Sequence, residues 1–270
     1  MMLRVFYYTM PKYGNSNDEN EDAIECCSLP IHSNAGGKSQ LSFLLSTNYV
    51  SEIRCAIADG ATQTSFSKTW AKVLVKNSIK YIPSRKRLWN DVIQKAQNEW
   101  RTELAKYELP WHAEEKVKKG AFSTLLWVSI KNHRGSKRPG GKLKAIAIGD
   151  SNMIIVRNNA VLQAFPISKS MEFGNNPYLL SSRDSGNDPI YPHIKYKESE
   201  WLPGDLFLLA TDALAEYILK QFEDGNDPLL EINNIITKDS PSDFENWIDY
   251  LRKSHLIHND DTTLASILSS

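Results

Sequence analysis

The chain has 270 residues, 41% of them hydrophobic, with 32 basic side chains balancing 32 acidic ones. That length supports one sizeable core, read as a single domain over 1–270, and the neutral balance offers no overall field for nucleic acid or an anionic membrane. No apolar run approaches the ~20 residues of a membrane span, and the opening MMLRVFYYTM, broken by Thr9 and Pro11, is too short for a signal peptide.

In chain order, residues 3–8, 23–29, 41–48 and 53–58 alternate apolar stretches with turn-rich breaks and read as strands. The loop HSNAGGKSQ carries Gly36, Gly37, Lys38 and Ser39, but a phosphate-binding P-loop would need glycine where His32 stands and a helix after it; a hairpin loop is the expectation. Cys26, Cys27 and Cys55 have neither CxxC spacing nor the density of a disulfide scaffold, so they read as small buried apolar groups in a reducing cytoplasm. Trp70, Val73, Leu74 and Ile79 recur with helical spacing over 67–81, and a second helical stretch covers 86–106, with Pro83 between them.

Beyond Gly120, the runs AFSTLLWVSI, LKAIAIGD, MIIVR and AVLQAF read as strands with tight polar connections. The basic stretch 131–144 contains Pro139-Gly140-Gly141 and reads as a hairpin loop rather than a nucleic-acid patch. A long polar stretch, 166–200, precedes the strand DLFLLA, helical patterns near 212–222 and 243–254, and a last strand over 262–268. Short strands joined largely by hairpins imply antiparallel sheets, and two groups of helices suffice to cover two outer faces. The expected class is α+β, a four-layer helix-sheet-sheet-helix sandwich with two central antiparallel sheets.

Acidic residues stand where strands begin or end: Glu21, Asp22, Asp59, Asp150, Asp212, Asp260 and Asp261. Singly, each has an ordinary explanation as turn, cap or solvated loop. Several carboxylates converging from one edge of a sandwich would repel one another unless cations lay between them, and oxygen-only ligands select hard ions, magnesium or manganese.

These segments resemble, in order, the motifs of the metal-dependent protein phosphatases of type 2C, the PPM family. Asn20-Glu21-Asp22-Ala23 resembles the opening acidic motif, Ala58-Asp59-Gly60-Ala61 the Asp-Gly motif and residues 121–125 the Gly-Ser-Thr strand. Gly149-Asp150-Ser151, Ala210-Thr211-Asp212-Ala213 and 259–263 are similar to the Gly-Asp-Ser, Ser-Asp-Gly and Asp-Asn-x-Thr elements. The resemblance implies that Asp59 bridges two Mn2+ or Mg2+ ions, with Asp212 and Asp260 on the first. Glu21 or Asp22, with the Gly60 carbonyl, would serve the second, and Asp150 with Asp212 a possible third. Thr263 would support the Asp260 loop. The implied activity is hydrolysis of phosphoserine or phosphothreonine by a metal-activated water, against a phosphoprotein substrate and opposite a Ser/Thr kinase.

The sequence departs from that pattern where the family's phosphate-gripping arginine falls on Asn17, with Lys12, Arg4 or Arg183 as replacements and Lys12 first among them. Ala213, Asp261 and Asn152 are further departures. Residues 166–200 occupy the place of a variable flap, where Phe173, Tyr178, Arg183 and Tyr191 either read the substrate or pack the flap down. His258, two residues before Asp260, is a candidate proton donor. The alternative to an active phosphatase is a catalytically weak module that binds or regulates a phosphoprotein; a phosphodiesterase or nuclease is disfavoured by the neutral charge.

Overall fold

The computed structural model describes residues 3–29, 52–81, 86–108, 110–133, 139–174 and 176–269. The strand expected over 41–48 and the loop containing Gly36 to Ser39 lie outside the described residues. The chain opens with β1 (Leu3–Met10), β2 (Ala23–Leu29) and β3 (Glu52–Ala58), followed by α1 (Ser67–Lys80), α2 (Lys86–Leu104) and α3 (Trp111–Lys119). Next come β4 (Phe122–Ser123), β5 (Leu125–Asn132), β6 (Gly141–Ile148), β7 (Asn152–Arg157), β8 (Ala160–Phe165), β9 (Leu180–Ser181), β10 (Lys195–Trp201) and β11 (Leu206–Ala210). The last elements are α4 (Asp212–Glu223), α5 (Leu229–Lys238), α6 (Pro241–Lys253) and β12 (Thr262–Ser269).

Two five-stranded sheets, β1-β12-β11-β7-β8 and β10-β6-β5-β3-β2, hold nearly all the strands, and β4 pairs with β9 apart from them. Pairing within both is antiparallel, as hairpin connections require. The β7–β8 hairpin turns through Asn158 and Asn159, both at positive φ, a conformation that asparagine tolerates better than most residues.

Side-chain alternation divides the core into layers. In β5, Leu126, Val128 and Ile130 face the opposite sheet, whereas Leu125 and Trp127 face the helices. A strand buried on both faces reads as a continuous apolar run, which is why LLWVSI shows little alternation. Between the sheets, Ile57, Val128 and Ala147 meet Val5, Ile155, Leu209 and Ile267. Outside one sheet, Trp70, Leu74, Ile93 and Trp100 of α1 and α2 cover Ala56, Trp127 and Ile146. Outside the other, α4, α5 and α6 lay Leu214, Ile232 and Phe244 against Phe6, Ile154, Leu208 and Leu264. Each such buried aliphatic or aromatic side chain contributes roughly 1.5–3 kcal/mol. The four-layer sandwich expected from the sequence is the observed architecture.

Several local expectations are corrected. Residues 195–200 belong to β10, which pairs with β6, instead of continuing the polar stretch; as an edge strand with exposed side chains, KYKESEW carries few apolar residues. The charged segment before Gly120 is the helix α3, and between the two expected C-terminal helices a further one, α5, packs Leu229, Ile232, Ile235 and Ile236 into the outer core. The run AFSTLLWVSI breaks at Thr124 into β4 and β5. Cys26 and Cys55 are directly opposite in the β2–β3 register and form a disulfide, leaving Cys27 free. Among the described residues no helix is long and apolar enough to cross a membrane.

Candidate metal centre

The pairing registers place the acidic motifs at one end of the sandwich. Ala23 faces Ala58, so Glu21 and Asp22 enter β2 where Asp59 leaves β3. Leu125 faces Ile148, which brings Thr124 beside the Gly149-Asp150 corner. In the other sheet Met10 faces Thr262 and Ala210 faces Leu264, so Lys12, Asp212 and Asp260 gather at the same end. A cleft of about 500 Å3 opens there, and its walls include Asp59, Gly60, Asp150, Asp212 and Asp260. Glu21, Asp22 and Lys12 lie behind it rather than on its surface.

The backbone at Asp59 is clamped. Its N–H donates to Thr124 Oγ1 (2.9 Å), and its carbonyl accepts from the Thr124 N–H (2.9 Å) and Ser123 Oγ (2.7 Å). The Thr124 hydroxyl also meets Ser151 Oγ at 2.7 Å, joining the Asp59 and Asp150 corners. Gly60 is required by space: a Cβ there would lie 2.8 Å from the Glu21 carbonyl oxygen and 3.0 Å from the Ser67 backbone. Gly149 has φ +88°, a left-handed conformation, and a Cβ would strike the Thr124 side chain at 2.6 Å. Asp212 opens α4 and accepts the Ala213 N–H at 2.7 Å, placing its charge at the helix N-terminus, where it is favoured.

Behind the cleft, buried Asp22 accepts hydrogen bonds at Oδ2 from Thr263 Oγ1 (2.7 Å) and Thr211 Oγ1 (3.1 Å), while its Oδ1 has no partner. Thr263 therefore supports Asp22; the Asp260 loop is held by other groups. Arg252 Nη2 donates to the Asp260 carbonyl (2.6 Å) and Thr262 Oγ1 (3.1 Å), and its Nη1 to the Pro11 carbonyl (2.9 Å). Asp261 accepts the Lys12 N–H at Oδ1 and the Glu21 N–H at Oδ2, each at 2.7 Å. Glu21 itself accepts from the Ser67 hydroxyl, and its other oxygen stands 3.7 Å from Lys12 Nζ.

Burial and mutual repulsion raise the carboxyl pKa values. Asp59 is pushed well above the ordinary range by burial and then by Asp22, Asp212, Asp260 and Asp150. Asp22 is likewise raised well above it by burial, with Asp261 and Asp212 adding to the shift against the opposing threonine hydrogen bonds. Asp150 is raised to about 7 and Asp212 to about 6, each chiefly by burial, with Asp212 and Asp260 respectively the leading charges. Among the described residues no three such side chains are gathered tightly enough to enclose an ion as they stand. The donor set still fits a hard divalent cation. It is made of carboxylate oxygens, and two of them, Asp22 Oδ1 and Asp150 Oδ1, are buried without a partner, an arrangement that demands compensation.

No arginine or lysine is among the described residues lining the cleft. Asn17 is exposed, and its carbonyl accepts from Lys68 Nζ at 2.9 Å. Lys12 Nζ donates to Thr62 Oγ1 at 3.2 Å, and Thr62 lines the cleft, so Lys12 stands one side chain from its wall. Arg4 lies in the exposed face of β1, and Arg183 runs past Gly120. In the flap, Phe173 and Tyr191 pack against opposite outer cores, while exposed Tyr178 stacks on His193 with ring centroids 3.6 Å apart. Buried Asn152 donates to the Ile167 carbonyl at 3.0 Å and anchors the flap's first turn. His258 lies off the cleft, on the α4 side. The sequence places Thr124 and Thr211 inside motif-like segments and Asp261 beside Asp260, but it does not show the bonds they make, and Arg252 carries no sequence signal at all.

Solved structures share the fold. A Mycobacterium tuberculosis serine/threonine phosphatase, PstP/Ppp, is 13% identical with a TM-score of 0.57 over all of both chains. The S. agalactiae serine/threonine phosphatase is 15% identical, TM-score 0.56, over 99% of this chain and 100% of the other. The PstP catalytic domain in complex with two manganese ions is 12% identical, TM-score 0.54, over 98% and 97%. At these identities the likeness is one of fold. No curated protein matches the chain in sequence. The family described as Protein phosphatase 2C matches residues 32–268, a span that includes Asp59, Asp150, Asp212 and Asp260 and begins after Glu21 and Asp22. With most of the chain matched, and with four aspartates of the matched span lining one cleft of the corresponding fold, the chain belongs to the protein phosphatase 2C family.

Proposed function

We propose that the chain is a protein serine/threonine phosphatase dependent on manganese or magnesium, acting on a phosphoprotein opposite a Ser/Thr kinase. The observation that carries this reading is the convergence of Asp59, Asp150, Asp212 and Asp260 on one cleft, with unpartnered carboxylate oxygens on Asp150 and on Asp22 behind it. Asp59 with Asp212 and Asp260 would hold one ion, and Asp59 with the Gly60 carbonyl and Asp22 or Glu21 a second; Asp150 with Asp212 suits a third. When bound, such ions supply an acidified water and offset phosphate charge.

The chain's own residues then position the reaction. Thr124 and Ser123 fix Asp59 through its backbone, so its carboxylate starts from a rigid strand end. Arg252 fixes the Asp260 loop from behind. Lys12, whose Nζ donates to Thr62 at the wall, is assigned the contact with the substrate phosphate, since no arginine or lysine is among the described residues lining the cleft. Its ammonium, which lacks the planar fork of a guanidinium, offers charge attraction rather than a bidentate grip, and Glu21 stands 3.7 Å from it.

The lack of a cationic side chain on the described cleft wall also supports a second reading, a weakly catalytic module that retains phosphoprotein binding. Hydrolysis of para-nitrophenyl phosphate and a phosphothreonine peptide with manganese, magnesium or chelator separates the two. Turnover that requires metal and disappears in Asp59→Asn supports the enzyme; metal binding without turnover supports the module.

A further inference from the structure

A second cavity, about 740 Å3, adjoins the metal centre on the side of α4. One wall is a stripe of α4: Ala213, Glu216, Tyr217 and Lys220, spaced at the three- and four-residue intervals that bring side chains to one helix face. The other wall is the end of α6 and the turn after it, with exposed Lys253 and Leu256. Arg252 contributes to this groove too, but its Nη groups are engaged by the Pro11 and Asp260 carbonyls and Thr262, so it forms part of the frame.

The groove meets the cleft at a defined point. Ala213 and Asn259 line the groove, while their chain neighbours Asp212 and Asp260 line the cleft. Moving away from that junction along α4, the wall changes character: small and apolar at Ala213, acidic at Glu216, basic at exposed Lys220. Glu216 is one turn and Lys220 two turns beyond Asp212, roughly 6 and 12 Å along the helix at ~1.5 Å per residue. An extended peptide advances ~3.3 Å per residue, so these charges align with side chains about two and about four positions from the residue in the cleft.

Resting on the phosphatase reading, we propose that this groove holds the extended segment of the substrate protein beside its phosphorylated residue. Lys220 selects an acidic side chain about four positions away, and Glu216 disfavours one at about two. Aromatic Tyr217 on α4, between those points, and aliphatic Leu256 on the facing wall supply apolar contact. Exposed lysine pairing is modest in strength, so the effect is one of preference among substrates: an aspartate at the favoured position strengthens binding about two- to fivefold over alanine.

The test uses fluorescein-labelled peptides carrying a non-hydrolysable phosphonate in place of phosphothreonine, with aspartate, alanine or lysine placed in turn at each of six positions on either side. Binding to the full chain is read by anisotropy in manganese. The expected result is tighter binding with aspartate at about four positions on one side, reversed toward lysine in Lys220→Glu, whose side chain is exposed and outside the core. No positional preference, or the same preference in the variant, overturns the proposal. Wild-type turnover of para-nitrophenyl phosphate, which extends no further than the cleft, is measured separately. Turnover without the preference removes the groove alone, and the preference without turnover removes the phosphatase reading alone.

Discussion

Asp261 accepts the backbone N–H of Glu21 at 2.7 Å across 240 positions of sequence, while its other oxygen accepts that of Lys12 at the same distance. One carboxylate thus pins the entry to β2 and the exit from β1 to the start of β12. Its removal leaves two N–H groups without their charged acceptor; one such bond is worth about 1.5–3 kcal/mol, and because both N–H groups are only part-buried and water can replace part of each, the pair together is taken at about that value. Asp261→Ala is expected to lower unfolding stability by that amount and to weaken manganese binding; Asp261→Asn, retaining one acceptor, should fall between. Urea denaturation and metal titration check the order, and an alanine variant as stable as wild type would refute the bracing role.

The raised carboxyl pKa values give the metal-free protein a definite pH response. Groups whose folded pKa exceeds the unfolded value contribute stability that is complete below the unfolded pKa, near 3.8, and is lost as pH rises through the folded values, about 6 for Asp212 and about 7 for Asp150. In chelator, the melting temperature should therefore drop from pH 5 to pH 7.5, and excess manganese should reverse most of that drop by binding the folded state. Asp59→Asn, which removes one of the repelling charges, should melt higher than wild type in chelator and gain less from manganese. Parallel melting curves with and without metal across that range would contradict the shared site.

Gly60→Ala places a methyl group 2.8 Å from the Glu21 carbonyl oxygen, against backbone rather than the end of a flexible side chain. Overpacking of this kind costs about 1–3 kcal/mol. The strain falls between Asp59 and Glu21, so metal-dependent turnover should fall more steeply than stability. Comparing chemical denaturation with initial rates in manganese tests this, and wild-type rates in the variant would show that the contact can relax.

Arg252→Lys keeps a positive charge but loses the planar fork that reaches Pro11, Asp260 and Thr262 together. Groups that orient metal ligands typically change affinity by about 10- to 100-fold when replaced. Manganese affinity should decline within that range, with the fold retained by circular dichroism. Unaltered affinity would mean that the Asp260 loop is held without this residue.

The layered fold was legible because alternation and helical spacing record which faces are covered. Trp70 and Leu74 announce α1, and Leu126 and Val128 announce a strand that needs partners on both sides. β10 was hidden because edge strands keep polar side chains, and the Cys26–Cys55 disulfide because it depends on β2–β3 register. The site divides the same way. Asp59, Asp150, Asp212 and Asp260 follow apolar strands or abut them and can be found from that context, and the structure brings all four to the cleft. Arg252 and Thr124 act through backbone partners in other segments, and neither a helix residue nor a threonine in the break between two strands carries a mark of such a bond.

The cleft draws Asp59 from the end of one sheet and Asp212 and Asp260 from the end of the other, with Asp150 on the β6–β7 connection that crosses between them. Two residues before Asp59, Ile57 lies in the apolar seam between the sheets, and so does Leu209, three residues before Asp212. That oily seam is accordingly the ruler of the site: it sets how far apart the two halves of the ligand cage stand. A methyl group added or lost there changes the gauge of the cage without touching an acidic residue.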